Sequence, residues 1–167
     1  MPAYYRATLE AFLAQSDGEI LGALAAGLGV EGHVTAYTAQ TTAWQEQVVA
    51  LRSAFEWLCD IQPEAIEWTL LLEYPIPRRQ KRIDAVVLSR QRIYCLEFKT
   101  GGQKLPHSAL NQVEDYALDL RDFHEASLSR EIIPVVVCRQ VAASAKFSLG
   151  VGDVVLAPVF CDYPGLG

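Results

Sequence analysis

Apolar residues recur along the chain with two different periods, which predict helices in some segments and strands in others. Apolar positions three or four residues apart predict helices over residues 4–15, 17–28, 40–59 and 108–124. The second of these helices is marked at its start by Ser16 and Glu19, which have the spacing of a capping box. Shorter apolar runs predict strands over residues 65–74, 81–88, 93–99, 132–138 and 151–159.

This order of elements predicts an α/β fold in which a mixed central sheet of four or five strands has helices on both sides. A length of 167 residues suits one domain with a substantial core. We expect a helical extension over residues 1–39, a core over residues 40–160 and a Pro- and Gly-rich linker or tail over residues 161–167.

Two charged residues stand out in the apolar run over residues 93–99, because Glu97 and Lys99 project from the same face of a strand. Asp84 lies within the preceding apolar run, and the polar connection between the two runs has the length of a hairpin loop. Antiparallel pairing can therefore bring Asp84 beside Glu97. Carboxylate oxygens suit Mg²⁺ or Mn²⁺, so this strand end is the predicted site, with a structural Glu97–Lys99 ion pair as the alternative.

The distribution of charge along the chain favours a different class of binding partner from the one that the net charge of −6 suggests. Residues 78–104 contain eight basic and two acidic side chains, so this segment is positive although the whole chain is acidic. A basic excess around the predicted site suits a phosphodiester substrate, and the alternative is ordinary solvated loop charge. The candidate nucleic-acid contacts are Arg78, Arg79, Lys81 and Arg82.

The spacing of the cysteines and the length of the apolar runs indicate where in the cell the protein is expected. The four cysteines are far apart in sequence, which is typical of free thiols in a cytoplasmic protein. No apolar run reaches 18 residues, so no membrane span is expected.

The order of these motifs resembles the PD-(D/E)XK nuclease superfamily. The matching residues are Asp84 and, on the next strand, Glu97 and Lys99. Gln112 and Tyr116 on the following helix are similar to the Gln-x-x-x-Tyr motif of the RecB-like branch. One departure is that Ile83, rather than proline, precedes the first acid.

A second resemblance covers nearly the whole chain. Residues 43–47, 73–79, 81–84, 96–99 and 115–120 are similar to the N-terminal region of a bacterial family of P-loop helicase-like proteins, in which a nuclease-like domain precedes an ATPase. The present chain contains no Gly-x-x-x-x-Gly-Lys-[Ser/Thr] motif. The resemblance therefore implies a helicase-like ATPase as a fused or neighbouring partner.

These resemblances imply a restriction-endonuclease-like core that hydrolyses nucleic acid, DNA rather than RNA, with Mg²⁺ as cofactor and Mn²⁺ as a substitute. Asp84, Glu97 and the Phe98 carbonyl would bind the ion, joined by Glu46, which falls where many members carry an acid on the first core helix. The alternative is a nucleic-acid-binding module that keeps the fold without cleaving.

The other motif residues would act on the substrate. Lys99 would position or help to deprotonate the attacking water, or stabilise charge in the transition state. Gln112 and Tyr116 would contact the scissile strand or orient the groups around the ion.

Overall fold

The computed structural model describes residues 3–30, 37–76, 81–99, 107–124, 127–139, 155–163 and 166. In chain order its elements are β1 (Tyr5–Thr8), α1 (Leu9–Ala14), α2 (Asp17–Val30), α3 (Tyr37–Ile61), a short 3₁₀ helix (Pro63–Glu67), β2 (Thr69–Pro75), β3 (Arg82–Leu88), β4 (Arg92–Lys99), α4 (His107–Phe123), β5 (Glu131–Cys138) and β6 (Val159–Asp162).

The strands form one mixed sheet in which they lie side by side in chain order, from β1 to β6. Neighbours from β1 to β4 are antiparallel, and β4, β5 and β6 are parallel. The parallel pair β4–β5 is joined through α4, because parallel neighbours need a crossover connection. The predicted α/β class is confirmed, with six strands in the described part of the chain rather than four or five.

Helices cover both faces of this sheet. Helices α1, α2 and α3 pack on one face against residues that include Ala85 and Leu96. Helix α4 packs on the other face, against residues that include Val86 and Cys95. Strands β3 and β4 therefore have apolar neighbours on both faces, which explains why their sequences are almost continuously apolar. We refer below to the α3 face and the α4 face of the sheet.

The prediction of a helix over residues 4–15 is wrong in its first half. Residues Tyr5–Thr8 form β1, which pairs with β2 at the edge of the sheet. Helix α1 then begins at Leu9, with the Thr8 hydroxyl accepting a hydrogen bond from the Ala11 amide at 3.2 Å. The predicted helical extension thus contributes a strand to the central sheet, because Tyr5 is buried in the same core as α3.

The predicted boundaries also change around β2 and at the C-terminal end. The first part of the strand predicted over residues 65–74 is the 3₁₀ helix, which Pro63 begins. The predicted tail over residues 161–167 starts inside β6, where Val159 and Cys161 are buried against β5. Composition suggested a linker there, but the alternate burial of these two side chains is that of an edge strand.

The four cysteines are free thiols, and Cys95, Cys138 and Cys161 are buried. Within the described ranges, no helix combines the length and apolarity that crossing a bilayer requires.

Candidate functional site

The candidate site lies where β3 and β4 cease to pair. Their ladder runs from Leu88↔Ile93 to Ala85↔Leu96, and the next residues are Asp84 and Glu97. Asp84 Oδ2 accepts a hydrogen bond from the Phe98 amide at 2.7 Å. A side-chain carboxylate on β3 therefore binds the β4 backbone just beyond the last paired residues, which holds Asp84 at the strand that carries Glu97.

Glu97 is the centre of a hydrogen-bond network on the α4 face. Its Oε1 accepts from Lys99 Nζ and from Gln112 Nε2, each at 2.8 Å. Lys99 Nζ also donates to Gln112 Oε1 at 3.2 Å, and Gln112 Nε2 donates to the Tyr116 hydroxyl. The structure thus brings these four predicted residues together, because β4 presents Glu97 and Lys99 to one turn of α4.

The two carboxylates of the site are held at an electrostatic cost. Burial, and then repulsion by the Glu97 charge, raises the pKa of Asp84 well above its ordinary value. Burial also raises the pKa of Glu97, opposed by its hydrogen bond to Lys99. Glu97 is only 5% exposed, and its Oε2 is buried without a hydrogen-bond partner in the described structure. A buried carboxylate oxygen without a partner is costly, and a bound cation would be such a partner.

This donor set fits a small divalent cation. Asp84 and Glu97 offer hard oxygen atoms, and Mg²⁺ is commonly held by one or two carboxylates with water completing its shell. In the part of the chain that the structure describes, no three His, Cys, Asp or Glu side chains are arranged to hold a metal ion together. The residues that would hold an ion here are Asp84 and Glu97, with the Phe98 carbonyl and water oxygens as further candidate ligands.

Glu46, predicted as a further ligand, has another partner. It lies on α3, and its Oε1 accepts a hydrogen bond from Arg139 Nη1 at 3.3 Å. With Arg139 and Tyr163 it lines a cleft of about 630 Å³. The Tyr163 ring contacts the Phe98 ring edge-on, so this cleft adjoins the site from the α3 face. The other oxygen of Glu46, Oε2, is buried without a hydrogen-bond partner in the described structure, so a role for Glu46 as a further ligand stays a prediction.

Glu73 is a residue that sequence reasoning missed. It is 7% exposed, and its Oε1 accepts hydrogen bonds from Trp44 Nε1 at 2.7 Å and from Gln40 Nε2 at 3.2 Å. Burial raises its pKa, and its charge acts on both Asp84 and Glu97. The available signal was a lone carboxylate in the apolar β2 run, the same signal that drew attention to Asp84.

The predicted nucleic-acid contacts differ in their surroundings. Lys81 is exposed and directly precedes β3. Arg82 is engaged within the protein, since its Nη1 donates to the Glu73 carbonyl at 2.6 Å and its guanidinium lies 3.9 Å from the centre of the Tyr4 ring. Arg78 and Arg79 lie outside the described residues.

Comparison with known proteins identifies a family. The model of the NERD family, described as a nuclease-related domain, matches residues 43–138, more than half of the chain. The match extends from α3 to the end of β5 and includes every described residue of the candidate site. Searches of curated proteins and of solved structures return no match.

Proposed function

The chain belongs to the nuclease-related domain family, and from this premise we propose that it is a metal-dependent nuclease that hydrolyses phosphodiester bonds in nucleic acid. Mg²⁺ is the proposed cofactor, with Mn²⁺ as a substitute, and Asp84, Glu97 and the Phe98 carbonyl are its proposed ligands. The observation that carries the proposal is the buried, unpartnered Oε2 of Glu97 beside a second carboxylate. We also propose that it is a PD-(D/E)XK nuclease of the RecB-like branch, and the support for the branch is the resemblance of Gln112 and Tyr116 to the Gln-x-x-x-Tyr motif.

A divalent cation in such a site supplies Lewis acidity and neutralises negative charge on the phosphoryl group. Lys99 adds a fixed positive charge, because its Nζ is held between Glu97 and Gln112 while its side chain remains 28% exposed. An ammonium at this opening can stabilise charge that develops on the phosphate. Tyr116 accepts a hydrogen bond from the Gln112 amide, which fixes the amide against Glu97 and Lys99.

DNA is the proposed substrate. The positive segment over residues 78–104 supports binding of phosphates, and its member Lys81, close to Asp84 in sequence, is exposed. We further propose that the domain acts in the cytoplasm together with a helicase-like ATPase. The support for this last point is the resemblance of segments such as 73–79 and 115–120 to proteins that carry such a motor.

Metal binding tests the site. Titration of Mn²⁺ by calorimetry should show one site, which Asp84→Asn or Glu97→Gln weakens by on the order of 100-fold or more, since even residues behind a ligand are worth 10–100-fold. The matched control is Asp115→Asn, which removes an exposed acid from α4. Equal Mn²⁺ affinity in wild type and Asp84→Asn would contradict the ligand assignment.

Cleavage tests the activity. Labelled DNA and RNA are incubated with Mg²⁺ or with EDTA, and Glu97→Ala should remove the metal-dependent cleavage. Lys99→Ala should keep Mn²⁺ affinity but lose on the order of 10²-fold in rate, the loss typical of a charge-stabilising group. Metal-dependent binding without cleavage by wild type would favour the non-cleaving binding module instead.

A further inference from the structure

Strand β2 loses its side-chain alternation at Glu73. In a regular strand, residues two apart face the same side of the sheet. Leu72 belongs to the core on the α3 face, whereas Tyr74 packs against the core on the α4 face. The strand therefore changes phase at the residue between them, which is Glu73.

Strand β3 changes phase at the same level. Ala85 lies in the core on the α3 face and Ile83 in the core on the α4 face, so the break falls at Asp84. The register pairs Leu72 with Ala85 and Tyr74 with Ile83. Glu73 and Asp84 consequently stand opposite each other, and the two strands share one kink.

The backbone of Glu73 accounts for this kink. Its φ is +53°, and it is the one non-glycine residue with positive φ among those that the structure describes. The left-handed conformation strains an L-residue that carries a Cβ, and such strain persists only where the surroundings hold it. Glycine would adopt this conformation without strain, so the glutamate side chain calls for a separate explanation.

Three hydrogen bonds hold Glu73 in place. Trp44 Nε1 and Gln40 Nε2 on α3 donate to its carboxylate, and Arg82 Nη1 on β3 donates to its carbonyl. Trp44 is 1% exposed, so the longest helix of the described structure anchors the kink from within the core. The kink lies next to the last paired residues of β3 and β4, where Asp84 accepts the hydrogen bond from the Phe98 amide.

We infer that Glu73 is a positioning residue for the metal site: its bond to Trp44 holds the paired kink that presents the Asp84 carboxylate to β4 and to the ion. The inference rests on the function proposed above. It does not make Glu73 a ligand, and it assigns Trp44 a role in the site although Trp44 lies within the core.

Four variants test this role. Glu73→Gly keeps a residue suited to the left-handed backbone but removes the side chain. Trp44→Phe removes the indole donor from the other side of the same bond, and Glu73→Gln keeps an oxygen acceptor for that donor. Tyr74→Phe is the matched control, because it alters the next residue of β2 and leaves this bond intact.

The first measurement is Mn²⁺ affinity, by calorimetry on the full chain, with unfolding midpoints recorded to show that each variant is folded. Glu73→Gly and Trp44→Phe should each weaken Mn²⁺ binding by about 10–100-fold, as loss of a group that orients a ligand does. Glu73→Gln should recover most of that loss, and Tyr74→Phe should bind as wild type. Wild-type affinity in both Glu73→Gly and Trp44→Phe would overturn the inference.

The second measurement needs no metal. Amide hydrogen exchange at Phe98 reports the bond that Asp84 accepts from it, and exchange at Val86 in the paired part of β3 serves as the internal reference. Glu73→Gly should accelerate exchange at Phe98 by on the order of tenfold or more relative to Val86. Unchanged exchange at Phe98 would overturn the positioning role even if Asp84→Asn abolishes Mn²⁺ binding. Accelerated exchange in a chain that binds no Mn²⁺ would support the positioning role and reject the proposed function.

Discussion

Asp84, Glu97 and Glu73 are three carboxylates that folding places close together, and burial raises the pKa of each. A carboxylate in this position opposes folding when it is ionised and no cation is present. The arrangement resembles that of many functional sites, where titratable groups are kept away from their ordinary pKa values. At the residue scale, the ionised carboxylates of the proposed site therefore lower the stability of the folded chain, and a bound cation can restore that stability.

This cost predicts how stability depends on pH in the absence of metal. The pKa of Asp84 is higher in the folded chain than in the unfolded chain. Its favourable contribution is therefore present below the unfolded pKa, about 4, and is lost as the pH rises through the folded pKa. Asn at position 84 cannot ionise but can still accept the Phe98 hydrogen bond, so Asp84→Asn should unfold at higher urea than wild type at pH 8 and by a smaller margin at pH 5.

The difference between wild type and variant isolates this contribution, because carboxylates elsewhere, such as Glu19, have lowered pKa values and act in the opposite direction. Addition of Mn²⁺ should raise the urea midpoint of wild type and leave that of Asp84→Asn unchanged. Parallel stability–pH curves for the two proteins would show that Asp84 is not ionised at a cost in the folded chain.

At the scale of elements, the start of α2 is held by hydrogen bonds between residues that are close together in sequence. Ser16 Oγ accepts from the Glu19 amide at 3.3 Å, and Glu19 Oε2 accepts from the Ser16 amide at 2.8 Å. These reciprocal bonds form the predicted capping box. Arg52 on α3 then ties the beginning of the helix to the rest of the fold through Asp17, at 2.7 Å.

We expect Ser16→Ala to lower the free energy of unfolding by about 1 kcal/mol, as loss of an N-cap side chain typically does. Mn²⁺ affinity should not change, because α2 contributes no residue to the candidate site. The control is Ser53→Ala, which alters an exposed serine within α3 and should be neutral or slightly stabilising. Urea denaturation of the three proteins, followed by circular dichroism, checks this prediction.

The elements that the sequence predicted well are those whose signal is local. Strands β3 and β4 are apolar runs separated by a short polar turn, and α2 carries its own cap. Strands β1 and β6 were harder to predict because each is four residues long and is defined by a distant partner. Strand propensity depends on such partners more than on the strand itself.

The same distinction explains the candidate site. The proximity of Asp84 and Glu97 was predictable, because one hairpin joins their strands. Helical periodicity left the orientation of Glu46 open, and its partner Arg139 is 93 residues away. The lone carboxylate in the β2 run was a signal for Glu73, but its role at the kink depends on a positive φ that nothing in its neighbouring residues indicates.

At the scale of the whole molecule, the charge is divided unevenly. The net charge is −6, yet residues 78–104 are strongly basic. The structure engages several of these basic residues. Arg82 contacts the Glu73 carbonyl and the Tyr4 ring, and ion pairs join Lys99 to Glu97, Arg92 to Glu131 and Arg90 to Glu67. Lys81 remains exposed, so fewer cations face solvent in the described part of this segment than the sequence alone suggests.

This balance predicts how the chain binds nucleic acid. An acidic domain that offers few phosphate contacts should bind single-stranded DNA with a Kd in the micromolar range or weaker at physiological salt, as non-specific binding generally does. Fluorescence anisotropy between 50 and 200 mM salt should show log K falling against log salt by about 0.7 for each phosphate contact, and Lys81→Ala should reduce the slope by about one contact. Arg90→Ala is the matched control, because Arg90 pairs with Glu67 at the far end of β3.

A tethered motor would raise the local concentration of substrate without any new contact, which is the physical reason for proposing an ATPase partner. Nanomolar binding by the isolated chain at physiological salt would remove that reason.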